Sequence, residues 1–136
     1  LSNGAAFFVL AHEMGHALID VYGLPIVAKE EDAADQFATI ILLETHDKGQ
    51  TAVNGGATLW DIWSQQHDMI FWDTHSLDSQ RLYNTLCWAY GFDPDGNSYL
   101  IENEFLPIER ADNCGYEYYK MNSAWTALLS PYLKSE

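Results

Sequence analysis

Apolar residues recur at helical spacing along almost the whole chain. Residues 5–22 read as one helix, stopped by Gly23 and Pro25. A second helix is expected over 30–46. It opens on Glu30, Glu31 and Asp32, which suit the positive end of the helix dipole, and it breaks at Asp47, Lys48 and Gly49. A third is expected over 56–71, with Leu59, Ile62, Trp63 and Ile70 on its apolar side. Asp73 to Ser76 reads as a polar connection, and Ser76 as the N-cap of a fourth helix that ends at Tyr90 before Gly91. Asp93, Pro94, Asp95 and Gly96 suit a turn. A short helix over 98–105 and a last one over 115–130 complete the pattern. Strand-like alternation is nearly absent, so the expectation is a single mainly α domain over 1–136.

Composition narrows the partners. A hydrophobic share of 48% with 14% aromatic is far from a disordered chain and sufficient for a core. Twenty acidic residues face six basic ones, a net charge of −14. That balance argues against nucleic acid, whose phosphates demand clustered Lys and Arg, and against an anionic membrane surface. The first apolar run, Ala5 to Ala11, is too short to span a bilayer and has no basic segment before it. The chain therefore reads as a mature or trimmed piece of a longer protein, without membrane insertion. Cys87 and Cys114 suit either one disulfide or two buried thiols; a bridge would add roughly 3 kcal/mol. The five tryptophans (Trp60, Trp63, Trp72, Trp88 and Trp125) recur within helical patterns and are expected in the core. Asp93, Asp95 and Asn97 do not follow the order of a calcium loop and fit a plain turn.

The chemistry lies in His12-Glu13-Met14-Gly15-His16. On a helix, positions i and i+4 share a face, so both imidazoles reach one metal ion. Two histidines and a carboxylate around zinc leave one position for water, and Glu13 is placed to take a proton from it. The next helix offers the third ligand. Glu31 and Asp35 are again i and i+4, so Glu31 binds the metal while Asp35 holds the far nitrogen of a ligand histidine. Ala33, Ala34 and Ala38 let this helix approach the first. Glu30 and Asp32 are expected to serve as N-terminal helix charge. Peptide hydrolysis also needs a donor to the oxyanion, for which His75, Arg81 and Tyr83 are candidates. His46 and His67 read as surface histidines.

His12-Glu13-x-x-His16 followed by Glu31-x-x-Ala34-Asp35 resembles the gluzincin metallopeptidases. More narrowly, the chain resembles the DUF4344 metallopeptidase family. The resemblance runs through residues 12–20, 24–25, 30–36, 75–83, 87–88, 110–114 and 117–118. It implies a zincin-like fold in which His12, His16 and Glu31 bind Zn2+, Glu13 is the general base and Asp35 supports a histidine. It also implies a peptide or protein substrate and an exported protein. Zincins carry a sheet before the active helix, and only about ten residues precede the motif here. Either that part is missing from the chain or the substrate groove is incomplete. The alternative function is a zinc-binding scaffold of the same fold without activity.

Overall fold

The computed structural model describes residues 2–134. Their elements are α1 (Asn3–Tyr22), α2 (Glu30–Thr45), α3 (Gly49–Gln66), α4 (Asp78–Phe92), α5 (Tyr99–Glu102), α6 (Ile108–Ala111), α7 (Cys114–Leu129) and a 3-10 turn, Ser130–Tyr132. No strand occurs among the described residues, so the mainly α expectation holds. No described helix is long and apolar enough to cross a membrane.

The reversal after α1 follows from its glycine. Ser2 caps the start by accepting the Ala5 N–H at 3.1 Å. At the other end Gly23 is left-handed, with φ 59°. Its N–H donates to the Asp20 carbonyl at 3.3 Å, and the Leu24 N–H donates to Ile19 at 3.0 Å. This is a Schellman closure, and its two apolar partners, Ile19 and Leu24, are both buried. The chain then returns with α2 against α1. The crossing is close because Gly15 faces Ala34: a Cβ on Gly15 would lie 3.1 Å from the Ala34 Cα. Ala34 and Ala38 are fully enclosed, as their small size led us to expect.

The third helix departs from expectation at both ends. It starts at Gly49 rather than at residue 56, and it includes Gly55 and Gly56. Of these two glycines, the expected bounds take in only Gly56. In the fold both are where α1 lies on α3: a Cβ on Gly56 would come 2.5 Å from the Phe8 ring. The core-facing side of α3 carries Ala52, Val53, Ala57, Leu59 and Trp60. Ile62, Trp63 and Ile70 are exposed, contrary to the apolar stripe expected for them. The helix stops at Gln66, and Met69, Ile70, Phe71 and Trp72 stand out to solvent in the following turns. Trp60, Trp88 and Trp125 are core, whereas Trp63 and Trp72 are not.

The fourth helix begins at Asp78, because Ser76 has another partner: its hydroxyl donates to Asp32 Oδ1 at 2.7 Å. It also runs through Gly91 to Phe92, and Gly91 packs against the Cys114 backbone instead of ending the helix. The short helix expected over 98–105 ends at Glu102, and a further turn, α6, follows Pro107. The last helix lies within one residue of its expected bounds.

Cys87 and Cys114 form a disulfide that ties α4 to the start of α7. It sits in a small second core with Leu86, Leu100, Leu106 and Ala111. Beside it Arg110 grips Glu117 with both prongs, Nη1 to Oε1 at 2.7 Å and Nη2 to Oε2 at 2.9 Å. Burial pushes the Glu117 carboxyl up, but the hydrogen bonds and charge of Arg110 outweigh it and hold the group below its ordinary range. Closing a loop of 27 residues removes entropy from the unfolded chain. Reduction of the bridge is therefore expected to cost about 3 kcal/mol, read as a fall in the urea midpoint. An unmoved midpoint would show that the bridge does not constrain the unfolded chain.

Candidate metal centre

The centre is assembled where the second half of α1 meets the first turns of α2. His12 and His16, one turn apart on α1, bring their Nε2 atoms to 3.1 Å. Glu31 Oε2 lies 3.2 Å from each. The three atoms thus form a nearly equilateral triangle. Ligands at zinc distances of about 2.0–2.1 Å in a tetrahedron stand about 3.3 Å apart, so this triangle matches one face of such a site. His12, His16 and Glu31 are also the one group of three or more potential ligand atoms this close among the described residues.

The far side of each ring explains its direction. His12 Nδ1 is 2.8 Å from Asp35 Oδ1. Asp35 is buried, and Arg81 donates to it twice, from Nε to Oδ2 and from Nη2 to Oδ1, each at 2.8 Å. Burial pushes the Asp35 carboxyl up, yet the hydrogen bonds from His12 and Arg81 and the charge of Arg81 hold it below its ordinary value. An ionised carboxylate only accepts, so Nδ1 of His12 carries the hydrogen of this bond, and in the neutral ring the lone pair then lies on Nε2. His16 Nδ1 is held likewise by Glu30 Oε1 at 2.7 Å.

Two imidazole lone pairs and a carboxylate oxygen therefore converge on one point. Three acceptors at this separation repel unless a proton or a metal cation lies among them. Burial alone lowers the His16 pKa, but Glu30 and Glu31 overcome it and raise the group above its ordinary value. The donor set thus fits a borderline metal such as zinc, with both histidines already turned to bind it.

His75 joins from the segment between α3 and α4. Its Nε2 lies 2.9 Å from Glu31 Oε2, and its Nδ1 is 3.2 Å from Asp73 Oδ1. The same Asp73 oxygen accepts the His75 backbone N–H, and these bonds hold Asp73 below its ordinary pKa. Glu13 is exposed next to His12 on α1. A cavity of about 300 Å³ opens beside the centre, walled by Trp63, Met69, Ile70 and Leu77 and bounded by His75 and Arg81.

The fold brings His12, His16, Glu31, Asp35 and His75 to one place, and three expectations change. Arg81 is no oxyanion donor: it is buried and committed to Asp35. Tyr83 lines a different cavity, with Leu86 and Tyr99. Glu30 and Asp32 are more than helix-end charge, since Glu30 orients His16 and Asp32 accepts from Ser76. The signal for Glu30 was its place beside a ligand carboxylate, which let it reach the second histidine. His46 and His67 are exposed, as expected of surface histidines.

A family profile, DUF4344, described as "Putative metallopeptidase", matches residues 2–129. No curated protein and no solved structure matches the chain.

Proposed function

The chain belongs to the DUF4344 family, described as one of metallopeptidases, and from that premise we propose that it is a zinc-dependent peptidase. The observation that carries the reading is the triangle of His12 Nε2, His16 Nε2 and Glu31 Oε2, with a carboxylate behind each ring. Zinc held there supplies Lewis acidity, polarising a peptide carbonyl and acidifying water.

The remaining steps belong to the protein's own groups. Glu13 takes a proton from the attacking water and delivers it to the leaving amine. His75 donates a hydrogen bond to the carbonyl oxygen as negative charge develops on it. Carboxylates face both ring nitrogens, Glu31 at Nε2 and Asp73 at Nδ1, so with both nitrogens protonated the half-exposed ring keeps Nδ1–H on Asp73 and turns Nε2–H from Glu31 toward a substrate. The adjoining cavity offers space for a substrate side chain. The disulfide supports an exported protein, because such bonds persist in oxidising compartments.

The test begins with metal analysis of the purified protein after zinc replenishment, followed by digestion of a broad peptide library. One zinc per chain with chelator-sensitive cleavage is the expected result. Stoichiometric zinc without cleavage would favour a scaffold of the same fold. No bound zinc would overturn the metal centre itself.

A further inference from the structure

We propose that Arg81 is a positioning residue of the metal centre: its two-pronged hold on Asp35 fixes the His12 ring with its Nε2 lone pair toward the metal. The inference rests on His12, His16 and Glu31 being the ligands. It adds a residue that touches none of the reacting atoms.

The geometry is specific. Arg81 occupies both oxygens of Asp35, one prong on each, so the carboxylate cannot rotate. The same Oδ1 meets His12 Nδ1. Arg81 is in turn pinned, because its guanidinium carbon lies 3.6 Å from the centroid of the Trp60 ring. Trp60 packs edge-on against Phe8 at 6.0 Å between centroids. Phe8 is on α1, one turn before His12. The contacts therefore close a ring through four helices: His12 and Phe8 on α1, Asp35 on α2, Trp60 on α3 and Arg81 on α4. Of its members only His12 belongs to the ligand triangle, so the ring's effect on the metal runs through one imidazole.

A lysine in place of Arg81 keeps the charge but not the fork, and cannot hold both oxygens in one plane. Outer partners of ligand histidines are worth about ten- to a hundredfold in metal affinity. That range sets the expected effect.

The test compares zinc dissociation constants, by chelator competition, for the wild type, Arg81→Gln, Arg81→Lys, Asp35→Asn and the Arg81→Gln/Asp35→Asn pair. Arg110→Gln, which breaks the ion pair near the disulfide, controls for general destabilisation. Arg81→Gln is expected to weaken zinc at least about tenfold. The pair should be no weaker than Asp35→Asn alone, because Arg81 acts through Asp35. Arg110→Gln should leave zinc affinity unchanged. Unchanged affinity in Arg81→Gln, or losses that multiply in the pair, would overturn the proposal. If Arg81→Gln does not fold, Arg81→Lys is judged by the same criterion.

A second measurement needs no metal. Imidazole 15N NMR of the metal-free protein should show His12 protonated on Nδ1, with mixed tautomers in Arg81→Gln. An unaltered Nδ1–H tautomer in the variant would also overturn it. If the wild type takes up no zinc, the ligand assignment fails, whereas the tautomer measurement still judges Arg81.

Discussion

Replacing Glu13 by Gln is expected to leave zinc bound and to lower peptide hydrolysis at least about a hundredfold. The side chain is exposed and belongs to no core cluster, so the fold has little reason to notice the change. The amide keeps the shape of the carboxylate but accepts no proton at neutral pH. The three ligand atoms and their carboxylate partners come from His12, His16, Glu31, Glu30 and Asp35, all untouched. Zinc content per chain and chelator-sensitive turnover, measured side by side, separate the two effects. Turnover comparable to the wild type would remove Glu13 from the reaction.

A second large effect is expected at Asp35. Its carboxylate meets three nitrogens, His12 Nδ1 and Arg81 Nε and Nη2, each at 2.8 Å. Asp35→Ala would leave the Arg81 guanidinium buried without its counter-charge. Breaking a buried pair from one side costs about 3–5 kcal/mol, a large share of the roughly 5–15 kcal/mol that holds a domain together. Arg81→Met added to Asp35→Ala should restore part of the loss, since it removes the stranded charge. The pH dependence has a definite sign. Asp35 is held below its ordinary pKa when folded. The wild-type advantage is therefore complete above the unfolded Asp range, about pH 4. It declines as pH falls below that range and is lost once pH has passed the lower native value. Urea unfolding at neutral and acid pH measures both statements. Equal midpoints at neutral pH would mean that the Asp35–Arg81 pair contributes nothing net.

The parts of the site legible in the sequence are those with local spacing. His12 and His16, and Glu31 and Asp35, are each one helical turn apart, and each pair shares a face in the fold. Gly23 and Pro25 marked a true reversal. Other glycines misled, because sequence shows their low helix propensity and hides their neighbours. Gly55 lies against the Gly4–Ala5 backbone and Gly91 against Cys114, both inside helices. The role of Arg81 depends on a partner 46 residues away, which no local period reveals. Ile70 and Trp72 were expected to be buried because they recur at helical spacing, but α3 ends at Gln66, before either of them. The disulfide was undecided until the fold brought α4 and α7 together.

The reversal at Gly23 has a consequence for the order of folding. The three ligand atoms come from a stretch that starts at His12 and ends at Glu31, within one helical hairpin. Closing so short a loop costs little entropy, and contacts of low sequence separation form early. The hairpin of α1 and α2 can therefore gather its donors before the rest of the chain has docked. Arg81, on α4, joins through a contact 46 residues apart in sequence, whose loop costs more to close. A metal ion captured by the hairpin would act as a nucleus for the chain, and the arginine would lock a ring already in place.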